Sequence, residues 1–225
     1  MPITLFNETS PPPAVTNQVC QMAANYLTDL SMLAIPASNY LYEVHEWVLP
    51  AEIFNYTQWI GQPEKPPAEL LVAFDDDDQT VVGFLLYLPI PTHPGACGIA
   101  YMAVLKSHRG HGIGSDLIAR ALSAYPHAEL TCPISKVPFY ERQGFRVLRA
   151  RNTQVVMNTR EASSAGTIEV VDAAKLLHSP QAQAILGQQM QRWGRKEMLY
   201  AEKQLHRHIG QLERQAAEYV KRRLG

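Results

Sequence analysis

A glycine-rich segment, Arg109-Gly110-His111-Gly112-Ile113-Gly114, has the clearest chemical signature in this chain of 225 residues. We call it the glycine loop. It follows an apolar run at residues 99–105 that predicts a strand, and it precedes a pattern typical of an amphipathic helix. Glycines let the backbone approach a ligand closely, and the first turn of a helix has free N–H groups that bind phosphate. The segment therefore indicates a pyrophosphate-binding loop, although a tight strand-to-helix turn would show the same pattern.

The glycine loop departs from two common nucleotide-binding patterns. A P-loop ends in Gly-Lys-Ser/Thr, whereas Gly114 is followed by Ser115 and Asp116. A dinucleotide fingerprint has the form Gly-x-Gly-x-x-Gly, with an acidic residue at the end of the next strand. Here the glycines follow the form Gly-x-Gly-x-Gly, and the next predicted strand ends in Thr131-Cys132-Pro133. Both nucleotide-binding patterns are therefore disfavoured.

Two segments, in this order along the chain, resemble motifs of the GNAT acetyltransferase superfamily. Residues 103–117, Ala-Val-Leu-Lys-Ser-His-Arg-Gly-His-Gly-Ile-Gly-Ser-Asp-Leu, are similar to its coenzyme A motif. Residues 137–145, Val-Pro-Phe-Tyr-Glu-Arg-Gln-Gly-Phe, resemble its second motif. The resemblance covers roughly residues 3–160 and implies an α/β fold with a mixed, mainly antiparallel sheet flanked by helices. It implies an N-acetyltransferase that moves the acetyl group of acetyl-CoA to an amine acceptor, either a small molecule or a protein amine.

The resemblance also implies which residues bind the cosubstrate. Backbone N–H groups of the glycine loop are expected to hold the coenzyme A pyrophosphate, and the preceding strand is expected to pair with the pantetheine. The full set is Met102, Ala103, Val104, Arg109, Gly110, His111, Gly112, Ile113, Gly114 and Ser115. No metal is expected, because His108 lies directly before the glycine loop, His111 lies within it, and neither has further ligands nearby in sequence.

Attack of an amine on a thioester creates an oxyanion and expels a thiolate, so the site needs a hydrogen-bond donor and a proton source. By resemblance, a backbone N–H near Val104 is the donor and the Tyr140 hydroxyl is the proton source; packing under the cosubstrate is the alternative role for Tyr140. In histone-type members of that superfamily, a glutamate that acts as the general base stands where this chain has Gly98. Glu129, on the next predicted strand, is the candidate base. The alternatives are Tyr101, Glu43, His45, Glu46 and a water chain.

Without a strand carboxylate, a second function stays open: a non-catalytic acyl-CoA-binding module that docks through its C-terminal helix.

The predicted element order is β, α, α, β, β, β, α, β, α, β, β, which requires a mixed sheet. Within it, residues 15–33 predict one helix and a second, short helix starts near Pro50. The aromatic-rich residues 40–59 are expected to form part of the acceptor wall or, alternatively, hydrophobic core.

The chain divides by its pattern into an acetyltransferase domain at residues 1–160, a linker at 161–179 and a helical extension at 180–225. In the extension, a heptad-like apolar seam consists of Met198, Leu205, Ile209, Leu212, Ala216 and Tyr219. Such a seam predicts self-association, with docking of a protein partner and packing on the domain as alternatives. Acidic residues interleave with the basic ones there, which disfavours nucleic-acid binding.

The overall composition limits the remaining possibilities. The formal net charge is −1, and no apolar run reaches the roughly 18 residues that a membrane span needs. The first residues lack the positive region of a signal peptide. Cys20, Cys97 and Cys132 are far apart and are expected to be reduced thiols. We therefore expect a soluble, cytoplasmic protein.

Overall fold

The computed structural model describes all of residues 1–225, and its centre is one seven-stranded sheet. The strands are β1 (Ile3–Phe6), β2 (Glu69–Phe74), β3 (Val81–Pro89), β4 (Ala96–Val104), β5 (His127–Cys132), β6 (Arg146–Arg151) and β7 (Gln154–Asn158). Their order is β1-β2-β3-β4-β5-β7-β6, and every neighbouring pair is antiparallel except β4 and β5. The expected α/β class, with a mixed, mainly antiparallel sheet flanked by helices, is confirmed.

Helices cover both faces of this sheet. They are α1 (Pro13–Asn25), α2 (Leu27–Leu30), α3 (Tyr42–Trp59), α4 (Ile113–Ala124), α5 (Val137–Arg142), α6 (Ala173–Leu177), α7 (Pro180–Trp193) and α8 (Arg195–Leu224). Alternate residues of β3 enter two cores: Phe84 and Leu86 lie in an α3-side core, and Leu85 and Tyr87 lie in an α4-side core. None of the helices combines the length and the apolar character that crossing a bilayer requires.

The two helix predictions near the N-terminus are wrong in their bounds. The helix predicted over residues 15–33 is divided into α1 and α2, because Tyr26 leaves the helical region at φ −114° and ψ 23°. The short helix expected near Pro50 is instead α3, which passes through that proline. An internal proline costs about 3 kcal/mol, whereas burying one aliphatic side chain contributes about 1.5–3 kcal/mol. The buried Val44, Val48 and Ile53 therefore offset the cost.

The C-terminal helices pack on the same chain's cores. α7 and α8 are separated at Gly194, which has a φ of +80°, whereas Gly187 and Gly210 lie within continuous helix. Of the predicted seam, Met198 and Leu205 belong to the α3-side core, and Tyr219 packs against the α4-side core. Packing on the domain is thus the alternative that the structure shows. The seam that predicted self-association is occupied, because α8 lies against β6 and β7.

Three polar contacts join α8 to different parts of the chain along its length. The Asn39 side chain donates to the Ala201 carbonyl at 3.0 Å, and His208 Nε2 lies 3.1 Å from the carbonyl oxygen of Ala34. At the far end, Arg223 pairs with Glu141 of α5 at 2.5 Å. The division into domain, linker and extension remains a prediction about segments of the sequence. In the structure, α6 lies inside the expected linker, and the three segments share one packed body.

Candidate active site

The parallel strands β4 and β5 separate along part of their length. They pair only where Ala96–Ile99 lies beside His127–Leu130. β4 nevertheless continues to pair with β3 as far as Val104, and its register shifts by one residue opposite Leu86 and Tyr87. Such a bulge bends the strand and redirects its side chains. The β5-facing edge of β4 after Ile99 therefore opens into a cavity of about 560 Å³.

This cavity collects most of the site residues predicted from the sequence. Those that line it are Met102, Ala103, Val104, Arg109, Gly110, Gly112, Ile113, Gly114, Ser115 and Tyr140. His111 and Glu129 are the two that do not. On its other side the cavity is bounded by Tyr26, Asp29 and Leu30 from the end of α1 and from α2, and by Gln154 at the start of β7. One continuous cavity therefore extends from the glycine loop to the end of α1, α2 and the start of β7.

The glycine loop is open to a ligand. Gly110 and Gly112 have φ values of +86° and +85°, and a Cβ atom built at either would meet nothing within 4 Å. Glycine is therefore favoured at both positions by the left-handed backbone, not by contact with other protein atoms. Gly114 differs, because a Cβ there would lie 3.3 Å from Phe139 Cζ of α5. Its lack of a side chain lets α4 and α5 approach each other closely.

The charge around the loop suits an anion. Gly112 is the N-cap of α4 and provides no side-chain cap, so the N–H groups of the first helical turn face the cavity without a side-chain acceptor. Arg109, Lys136 and Arg142 also line the cavity, whereas Asp29 is the one acidic residue that does. These backbone and side-chain donors fit a pyrophosphate.

Arg109 and Tyr26 connect the loop to α1. The Arg109 guanidinium lies 4.8 Å from the centre of the Tyr26 ring, and its Nε donates to the Val104 carbonyl at 3.0 Å. The Tyr26 hydroxyl in turn accepts the Lys106 N–H at 2.8 Å. The residue that interrupts the first helix thereby fixes the junction between β4 and the glycine loop.

Tyr140 of α5 faces the cavity with a buried ring. Phe139 and Phe145 flank the ring edge-to-face at centroid distances of 5.0 and 5.8 Å. Burial raises the pKa of the Tyr140 phenol above its usual range, and the nearby Cys132 thiol adds to the shift. At neutral pH this phenol is therefore protonated, so it has a proton to give to a departing thiolate, whose conjugate thiol titrates near pH 8.5. The hydroxyl is thus placed and protonated as a proton donor requires.

The position of Glu129 does not support the predicted role of base. Glu129 lies opposite Gly98 in the closed part of the β4–β5 pair, before the strands separate. Its carboxylate contacts Arg149 at 3.3 Å and Asn158 at 3.1 Å. The neighbouring strand position is closed as well, since a Cβ on Gly98 would lie 2.5 Å from Ile168 Cδ1. Neither strand supplies a carboxylate to the cavity at this level.

Among the alternative bases, only Tyr101 lines the cavity. Glu43 instead contacts Gln189 and Arg192 of α7, at 3.3 and 3.8 Å. Burial lowers the pKa of His45 on α3, away from the cavity. None of residues 40–59 lines the cavity, and most aromatic residues of this segment pack in or against the α3-side core, as the alternative expectation had it.

Glu52 is the residue that sequence reasoning missed. Its Oε1 accepts a hydrogen bond from the Tyr101 hydroxyl at 2.8 Å. The available signal was a carboxylate on a helix whose neighbouring positions, Ile53 and Tyr56, are large and apolar in character. A carboxylate in such surroundings is uncommon without a partner or a function.

Comparisons with known proteins agree with this geometry. Residues 66–147 match the family model of the acetyltransferase (GNAT) domain. The PaiA N-acetyltransferase of Thermoplasma acidophilum, solved in complex with coenzyme A, is 15% identical with a TM-score of 0.55, over 71% of this chain and 99% of that one. An acyl-CoA N-acyltransferase from Pseudomonas aeruginosa is also 15% identical, with a TM-score of 0.51, over 71% of this chain and 100% of that one. No curated protein sequence matches. Residues 66–147 are therefore similar to the acetyltransferase (GNAT) domain, and the fold is similar to that of the two solved acyltransferases.

Proposed function

We propose that this protein is an N-acetyltransferase that transfers the acetyl group of acetyl-CoA to an amine acceptor. The observation that carries the proposal is the separation of β4 from β5, which opens one cavity between the glycine loop and Tyr140. An anion-binding end and a proton donor in one cavity are what acyl transfer from coenzyme A needs.

The cosubstrate would be held by the chain's own backbone and cations. Donors from the glycine loop and the first turn of α4 suit the pyrophosphate, together with the side chain of Arg109. At Met102, Ala103 and Val104, β4 has no β5 partner, so this edge can pair with the amides of pantetheine, and the Val104 carbonyl already accepts a hydrogen bond from Arg109. Bound acetyl-CoA supplies an activated acyl group as a thioester.

The chain's polar groups then divide the remaining chemistry. A backbone N–H of β4 near Val104 stabilises the oxyanion, and the Tyr140 hydroxyl gives its proton to the departing thiolate. Asp29, Tyr101 and Gln154 also line this cavity and are not among the predicted coenzyme A residues, so they are available to the acceptor. A phenol, an amide and a carboxylate there suit a polar amine that carries a proton at neutral pH.

The alternative is an acyl-CoA-binding module without turnover, and the filled space above Gly98 is the observation that favours it. The two functions are separated by measuring thiol release from acetyl-CoA with lysine amide, benzylamine and a tripeptide with a free N-terminus, beside calorimetric titration with coenzyme A. Thiol release that depends on an amine establishes the transferase. Binding of coenzyme A with no amine-dependent release would establish the module instead.

A further inference from the structure

Tyr101 and Glu52 connect the cavity to a half-buried carboxylate. Tyr101 lies at the bulge of β4, lines the cavity, and packs against the α3-side core. Its hydroxyl donates to Glu52 of α3 at 2.8 Å. A proton released in the cavity at the Tyr101 oxygen therefore has a carboxylate one hydrogen bond away.

A second phenol–carboxylate pair in the protein differs from the pair of Tyr101 and Glu52 in its position relative to the cavity. The Tyr125 hydroxyl donates to Glu69 at 2.5 Å, and Tyr87 donates to the same carboxylate at 2.7 Å. Neither Tyr125 nor Glu69 lines the cavity. The pair of Tyr101 and Glu52 has the same chemistry but reaches the cavity.

The two groups have the protonation states that a relay needs. Burial raises the pKa of Glu52 to about 6, against the opposing effect of hydrogen bonds from Tyr101 and Tyr56. Burial also raises the pKa of Tyr101 well above its usual range, and the Glu52 carboxylate adds to the shift. These two phenols are the titratable groups that act on Glu52, with no cation beside it. At neutral pH the carboxylate is therefore charged and the phenol is protonated.

The C-terminal part of the chain holds this arrangement. Ile168 fills the space above Gly98, where a strand carboxylate would stand. Three residues later, the Val171 N–H donates to the Tyr56 hydroxyl at 3.1 Å, which orients that phenol beside Glu52. The segment that excludes a carboxylate from β4 thus supports one on α3.

We propose that Tyr101 is the catalytic residue that accepts the proton of the attacking amine, and that Glu52 is the positioning residue that receives the Tyr101 proton; this rests on the proposed acetyl transfer. The acceptor first gives up its ammonium proton to solvent. As the neutral amine nitrogen bonds to the thioester carbonyl carbon, an N–H proton passes to the Tyr101 oxygen and the Tyr101 proton passes to Glu52. The C–S bond then breaks, and Tyr140 protonates the thiolate. Water re-protonates Tyr140, and Glu52 releases its proton to solvent.

The test compares Glu52→Gln and Tyr101→Phe with two matched controls. Glu46→Gln removes an exposed carboxylate from the same helix, and Tyr125→Phe removes a phenol from the other pair. For each variant, kcat/KM is measured from pH 5 to 9 with acetyl-CoA and the best amine of the panel named above. Calorimetric titration with coenzyme A and thermal unfolding establish that each variant is folded.

The amine contributes the same ionisation to every variant, so the ratio of variant to wild type isolates the relay. We expect Glu52→Gln to lower kcat/KM about 10²-fold at pH 8, with the ratio rising toward one below pH 6 as the wild-type carboxylate is protonated. Tyr101→Phe should also cost about 10²-fold at pH 8. Both controls should match wild type.

Two results would overturn the relay. If the wild type turns over but both variants keep its rate, or lose it by one factor at every pH, the relay is wrong while acetyl transfer stands. If the wild type acetylates no amine, the proposed function fails and the relay with it. Should Glu52→Gln not fold, Tyr101→Phe decides alone, because a wild-type rate in that variant excludes the phenol as proton acceptor.

Discussion

Replacing Leu205 with alanine tests whether α8 is an internal element of the fold or a seam for a second subunit. Leu205 is 7% exposed and belongs to the α3-side core. Buried leucine-to-alanine changes cost about 2–5 kcal/mol, because the lost transfer free energy is joined by the cavity left behind. Alanine suits a helix, so local propensity adds nothing to the cost.

At about 2–4 °C per kcal/mol for a chain of this size, we expect Leu205→Ala to lower Tm by about 4–20 °C. The matched control is Leu199→Ala on the same helix, where the side chain is 46% exposed and a change within about 0.5 kcal/mol is expected. Thermal unfolding followed by circular dichroism gives the comparison, and light scattering gives the mass. Equal Tm values for the two variants, or a mass that falls in Leu205→Ala alone, would refute internal packing and restore the intermolecular seam.

The remaining predictions concern the site. Gly112→Val places a branched side chain at a φ of +85° in the open part of the glycine loop, so calorimetry should show coenzyme A affinity reduced at least about tenfold; wild-type affinity would contradict the anion-binding role of the loop. Tyr140→Phe should lower kcat by about 10²- to 10⁴-fold with little change in the acetyl-CoA KM, and an unchanged kcat would leave Tyr140 a packing role. Because the pKa of Glu52 is raised on folding, to about 6, its ionised form destabilises the fold above that pH, and the penalty fades as pH falls through the unfolded pKa. Glu52→Gln should therefore unfold at a higher temperature than wild type at pH 8, by about 1–2 kcal/mol of stability, and at the same temperature near pH 4; a difference that does not depend on pH would exclude this cause.

The elements next to the glycine loop could be predicted well because their signals are local. β4 ends one residue before the apolar run predicted at residues 99–105 ends, and β5 ends at Cys132, within the predicted Thr131-Cys132-Pro133 end of that strand. The loop's glycines, the strand before it and the helix after it are set by neighbouring residues along the chain. Local backbone conformation and hydrophobic periodicity are enough to locate such a segment.

The errors share a cause in tertiary packing. α3 continues through Pro50 because burial of its apolar side chains stabilises the helix more than the proline destabilises it. Helix propensity along the sequence includes only the effect of the proline. An apolar stripe on α8 has the same pattern whether its partner is another subunit or β6 and β7.

The carboxylate of the proposed relay was missed for a related reason. Glu129 stands in the closed half of the β4–β5 pair, and only the strand register shows this. Glu52 and Tyr101 are 49 positions apart and meet through helix-on-sheet packing. No spacing in the sequence encodes that contact.

Gly98 and Ile168 have a further consequence for how this protein can change. Because a Cβ on residue 98 would collide with the Ile168 side chain, substitutions at these positions are not independent. Ile168 Cδ1 is the end of a flexible side chain, so a small side chain at position 98 requires only a different Ile168 rotamer. A glutamate at position 98 needs more room, which a smaller residue at position 168 would supply. The effects of changing both positions are therefore expected to be non-additive.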